Sequence, residues 1–339
     1  MRINYLPSIL YFGMPMGLIG TGLNAQHLTA QLDLDSNIAL WILFYGWISL
    51  AIVGSHYIKH LFGEVRTAML QEWHDPFKRN FFPAITLTLL LLLLSLKPYF
   101  EALEIDQAWL SSGYFTIVTF HSILNLKLIN NWLFRDDLSL RQHKPTWFVL
   151  LSGNFLVIIS GVKLVDLQDF PVWNEVLWLF FSMSLFLWLV FTVSLFYRLL
   201  FTSPLQVTMR PSLFIFLAPP SLGVIASLLL TQDITASQPL LSESLAISPL
   251  TWILYGFATL MLLLWVTLVR FFYQSGLSMA GWAYIYPMAA YGLATQYMAM
   301  QLNSSLLLIG SVSVFIFVLI LTSLLTAWLI KQSLQKVID

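Results

Sequence analysis

"YFGMPMGLIG" at residues 11–20 and "WAYIYPMAAYG" at residues 282–292 each set a proline, Pro15 and Pro287, inside a run that otherwise reads as a membrane helix. A proline in a helix interior removes a backbone hydrogen bond and crowds the preceding turn, at a cost of about 3 kcal/mol. Spacing gives the reason the chain accepts it. Interruptions recur at Pro15, Pro83, Gly153, Pro219 and Pro287, at intervals of 68, 70, 66 and 68 residues. A second landmark precedes each of them: Pro7, Pro76, Pro145, Pro211 and, in the fifth place, Met279. Proline suits the first helical position, where its missing N–H is not needed, and Asp75 before Pro76 is a candidate N-cap. Each unit therefore reads as a helical hairpin with an interrupted first helix and an uninterrupted return. The five hairpins span about 7–60, 76–133, 145–200, 211–273 and 280–332, within a single transmembrane domain covering 1–339.

Composition agrees. Of 339 residues, 58% are hydrophobic and 9% charged, with a mean hydropathy of +0.80. A soluble domain carries about 25% charged residues, so the chain is an integral membrane protein. Runs of about 20 apolar residues give ten expected spans: 7–30, 37–60, 76–98, 108–133, 145–164, 172–200, 211–231, 249–273, 280–301 and 305–332. With both termini cytoplasmic, all of the 16 basic residues except Lys97 and Lys163 fall on the inner side, as the positive-inside rule requires. The expected location is the plasma (inner) membrane, with the first span retained because no small-residue cleavage site follows it.

The absence of cysteine excludes disulfides, thiolate nucleophiles and cysteine metal clusters. His56 and His60 have an i, i+4 spacing, but a solvated helix end explains them as well as a metal pair does. No phosphate loop, catalytic triad or basic nucleic-acid patch is present, so neither enzyme nor nucleic-acid chemistry is expected, and no cofactor or metal.

Two spans per unit mean that successive units enter the membrane in the same orientation, about an axis along the membrane normal. Irregular backbone at membrane depth is tolerated only where it is buried or lines a cavity, so the five interrupted helices belong inside. Closed around the axis they form a pore; packed solid they form a bundle, and the sequence leaves both open. The central parts of these helices hold almost no charge, which favours passive conduction over proton-driven transport. His121, on a return helix, is the candidate titrating group for the alternative, and a packed or lipid-facing histidine is its plainer reading. Lys78, Arg79, Lys144 and Arg210 stand beside the cytoplasmic helix starts, where they form an electropositive vestibule or merely obey topology. Gly13 and Gly17 form a G-x-x-x-G pair suited to close packing.

Five motifs in order, "FGMPMG" (12–17), "EWHDPFKRNFFP" (72–83), "HKPTWFVLLSGNFLVIISG" (143–161), "RPSLFIFLAPPSLG" (210–223) and "GWAYIYPMAA" (281–290), resemble the tellurite-resistance/dicarboxylate transporter (TDT) family. Its members include bacterial TehA, fungal malate permease and sulfite pump, and the plant guard-cell slow anion channel. The resemblance covers essentially the whole chain. It implies ten transmembrane helices as five hairpins in quasi-fivefold arrangement around a central pore, assembled as a homotrimer with one pore per subunit. It implies passive movement of small inorganic or dicarboxylate anions, with other oxyanions in some branches; the alternative is a proton-coupled C4-dicarboxylate (malate-type) carrier or a tellurite or sulfite oxyanion transporter. A pore-blocking phenylalanine stands in that family where this chain has Tyr286, making Tyr286 the expected pore gate or, alternatively, a residue packed between helices. The guard-cell relatives are controlled through long cytoplasmic tails, which this sequence does not show, so regulation through such tails is not expected.

Overall fold

The computed structural model describes residues 8–59, 66–134, 139–167, 170–237 and 247–338, and among these every regular element is helical. In chain order the α-helices are α1 (Gly13–Gln31), α2 (Asn37–Lys59), α3 (Arg66–His74), α4 (Pro83–Ala102), α5 (Ala108–Leu133), α6 (Phe148–Leu164), α7 (Pro171–Phe201), α8 (Ala218–Ser237), α9 (Pro249–Thr267), α10 (Val269–Tyr273), α11 (Ile285–Leu302) and α12 (Ser305–Ile338).

Five of them share one construction. The chain first winds as a tight 3-10 segment and then widens to α: Ile9–Phe12 into α1, Lys78–Phe81 into α4, Pro145–Trp147 into α6, Val207–Leu217 into α8 and Met279–Tyr284 into α11. Pro15, Pro83, Pro219 and Pro287 stand within the first three residues of their α-helices. First-turn N–H groups bond back into the 3-10 lead-in, as the Gly13 N–H does to the Leu10 and Tyr11 carbonyls, so each proline withholds one such bond at the junction, where the change of winding takes up its ring. The irregularity is a change of helix type at the start of the helix and not a break in its middle. Gly153 differs, as the sixth residue of α6. Asp75 caps the second unit, its Oδ1 accepting from the backbone N–H of Phe77 at 2.8 Å and of Lys78 at 2.9 Å. Pro7 lies outside the described residues.

These five helices pack as a closed ring: α1 on α4, α4 on α6, α6 on α8, α8 on α11, and α11 back on α1. The others line its outside. α2 packs on α1, α5 on α4 and α6, α7 on α6 and α8, α9 on α8, and α12 on α11 and α1. Burial separates the two layers, with 94% of the apolar window in Val207–Gln232 buried against 17% in Ser305–Gln335.

Among the described residues, seven helical stretches are long and apolar enough to cross a membrane. The helices α1, α5 and α11 are outside that set because they carry amides and imidazoles, and an unpaired amide in hydrocarbon costs several kcal/mol. Two of these amides, Asn24 and Gln296, pair internally. The Asn24 amide donates to the Ala289 carbonyl at 2.9 Å, the Gln296 amide donates to Asn24 Oδ1, and a His27 ring nitrogen bonds Gln296 Oε1 at 3.0 Å. A single-helix hydropathy window cannot register that pairing.

Candidate functional site: a cavity inside the helix ring

A cavity of about 260 Å3 lies inside the ring, with all five inner units contributing to its wall. Met16 from α1, Leu87 from α4, Ser152 from α6, Ala218 from α8 and Pro287 from α11 mark its deepest reach along each helix. It therefore occupies the end of the ring where the five α-helices begin, and where their dipoles place positive potential.

The wall is mostly apolar and, among the described residues, holds no charged side chain. Its hydroxyls on Ser152 and Ser212 donate to their own helix carbonyls, those of Phe148 at 2.9 Å and Met209 at 2.6 Å. Two donors have no such outlet. The Tyr286 hydroxyl and the Trp282 indole N–H are both buried without a hydrogen-bond partner, and both residues line the cavity. Each orphaned donor costs about 1–3 kcal/mol. They stand four residues apart, Trp282 in the 3-10 lead-in and Tyr286 in the first turn of α11. Tyr286 is 3% exposed, and its ring is seated on α1 at Gly20, where a Cβ would come within 3.0 Å of Tyr286 Cδ2. Only glycine leaves room for that ring without displacing it.

The four expected vestibule cations do not line the cavity. Lys78 pairs with Glu72 at 3.1 Å. Glu72 also accepts from Ser8 Oγ and from the Ile9 N–H at 3.0 Å, tying α3 to the start of the first unit. The Arg79 guanidinium, buried, donates to Asn131 of α5. Arg210 donates to the Phe271 carbonyl at 3.0 Å, with its guanidinium carbon 3.9 Å from the centre of the Phe271 ring. Lys144 stands 4.9 Å over the ring of Phe77, itself a cavity residue. Partial burial lowers the Lys144 ammonium below the ordinary lysine range, against the pull of Asp75 and with the push of Arg198. Beside it, burial holds the His143 imidazole down at about 4, against its bond to the Phe191 carbonyl.

At the opposite end of the ring, Lys163 near the end of α6 is exposed and lies close enough to Lys97 of α4 for the two ammoniums to repel. Lys97 is partnered by Glu101 at 3.3 Å. Among the described residues no carboxylate pairs with Lys163.

His121 is fully buried. Thr86 Oγ1 lies 2.7 Å from its Nδ1 and Asn154 Oδ1 lies 3.2 Å from its Nε2. Gly153 provides the space, since a Cβ there would fall 2.3 Å from His121 Cε1. His121 thus joins α4, α5 and α6 and is not among the cavity residues. His56 is exposed and bonds the Ile52 carbonyl at 2.8 Å; His60 lies outside the described residues. Of the G-x-x-x-G pair, a Cβ at Gly17 would come within 3.0 Å of Ile285, whereas one at Gly13 would stand at an ordinary 3.8 Å from Trp282.

Trp282, Gly20 and the Asn24–Gln296 bond are absent from the sequence reading. The i, i+4 pair of Trp282 and Tyr286 was a signal available for the first; the other two join positions more than 260 residues apart, which no local pattern reveals.

No curated protein is similar enough to the chain to match it. The family whose model is described as "voltage-dependent anion channel" (SLAC1) matches residues 8–330, and the chain belongs to that family.

Proposed function

We propose that the protein is a passive channel or uniporter for small anions, conducting along the axis of the five-helix ring, with Tyr286 as the gate. The observation that carries this reading is the cavity wall. Among the described residues it has no carboxylate, five positive helix ends point toward it, and two of its residues, Trp282 and Tyr286, carry unpartnered donors buried behind its surface. The helix ends favour an anion over a cation, and a small rotation of either ring turns a donor toward that anion. The cavity reaches no deeper along α11 than Pro287, next to the Tyr286 ring, which supports occlusion at that level. In this reading all ten long helices cross the plasma membrane, both termini are cytoplasmic, and the cavity opens to the cytoplasm. Lys163, with no pairing carboxylate among the described residues, then stands at the outer mouth and attracts anions. By the family resemblance the chain assembles as a homotrimer with one pore per subunit.

His121 supports passive over proton-coupled transport, because it lies behind the ring wall with both ring nitrogens engaged. The test is anion efflux from proteoliposomes at equal internal and external pH, clamped by a potassium ionophore. Efflux that follows the imposed potential supports the proposal. Efflux that needs a pH gradient and disappears in His121→Gln would overturn it in favour of coupled carriage.

A further inference from the structure

A second cavity, of about 840 Å3, lies outside the ring, within the ~300–1,000 Å3 range of small-ligand sites. Gly54 of α2, Leu89 of α4 and Ile123 of α5 stand in its walls, and Trp73 of α3 is at one end. The helix faces beside it carry exposed apolar side chains such as Ile58 and Phe120, so it opens toward lipid and not toward the ring. Gly54 leaves its floor open, since a Cβ there would meet nothing within 4 Å. Lys127 is the last α5 residue to line it, at the α3 end.

Lys127 is exposed, and among the described residues no carboxylate pairs with it. The described carboxylates at that end are already engaged. Glu72 holds Lys78, Ser8 and the Ile9 N–H, and Asp75 holds two backbone N–H groups. A second copy of the chain therefore brings no free described carboxylate to Lys127, whereas a lipid phosphate would satisfy it.

We propose that this groove binds an anionic phospholipid, with one acyl chain lying between α2 and α5 and the phosphate on the Lys127 ammonium. Apolar walls alone do not select a lipid, because a tail gains nothing by leaving other tails. Selection falls to the headgroup, and one lysine at the membrane surface favours an anionic lipid about fivefold. The inference needs the helices to cross a membrane but does not need the ring to conduct.

The test is native mass spectrometry of the whole protein in detergent, equilibrated with equal phosphatidylglycerol and phosphatidylcholine of identical chains. The expected result is about a fivefold excess of bound phosphatidylglycerol, no excess in Lys127→Gln, and loss of both lipids in Gly54→Phe, which fills the groove. Anion efflux and melting temperature of each variant report folding and conduction separately. Equal retention of the two lipids by the wild type would overturn the proposal, as would an excess that survives Lys127→Gln. If Gly54→Phe instead dissociates an oligomer, the groove is filled by a second copy of the chain and the proposal fails.

Discussion

Tyr286 combines two properties that seldom occur together: a nearly complete burial and a hydroxyl with no partner. Removing the hydroxyl while keeping the ring separates them. Tyr286→Phe should stabilise the protein by roughly 1–3 kcal/mol, the cost of an orphaned donor, which a higher melting temperature in detergent would register. The same change should lower the preference for anions over cations, because one of the two unpartnered donors that ring rotation can turn toward a passing anion is lost. An unchanged reversal potential would assign anion preference to the helix ends alone. Gly153 carries a second prediction. A methyl there collides with His121 and also with Leu87 Cδ1 at 2.6 Å, so Gly153→Ala should be strongly destabilising. Adding His121→Ala should recover part of the loss, which a melting series on the single and double variants checks. If the two changes simply add, the imidazole is not what the glycine makes room for.

Among the elements, the paired helix types are the recurring device. Prolines at the start of an α-helix that follows a 3-10 segment should be nearly free to change. Pro15→Ala and Pro287→Ala should each shift stability by well under the ~3 kcal/mol expected of a proline in a helix interior. The loop before α6 supplies a pH prediction. His143 is held down at about 4 in the folded protein against an ordinary 6.5, so between those values the unfolded chain binds more protons. Its contribution is complete above pH 6.5 and is lost as pH falls toward 4, up to about 3 kcal/mol. Melting temperatures over that interval should fall less steeply in His143→Gln than in the wild type. Boundaries of several outer helices were legible in the sequence, where the expected 108–133 is α5 and 37–60 is α2 within one residue, while the inner α-helices α1, α4, α8 and α11 start five to seven residues later than expected. The short α3 was not legible, because nine mixed residues give no membrane signal, nor were the 3-10 lead-ins, which share their hydropathy with the helices they open. The partners of Lys78, Arg79 and Arg210 were also hidden. Sequence position gives the side of the membrane but not the direction in which a long cationic side chain turns.

For the whole molecule, ring closure is what turns five hairpins into one functional unit, since every inner helix then has two inner neighbours and one shared interior. That interior is apolar except for a few hydroxyls and one indole N–H, so it replaces little of an anion's hydration. Weakly hydrated nitrate should therefore pass more readily than chloride, and bi-ionic reversal potentials check the order. The reverse order would require a more polar path than the cavity offers. Whether Tyr286 closes an anion path through the ring is decided by single-protein currents across planar bilayers in asymmetric chloride, wild type beside Tyr286→Ala. A gate at that residue gives a small wild-type current that rises severalfold in the variant with an anion reversal potential. A folded Tyr286→Ala protein whose trace stays as silent as the wild type would contradict it.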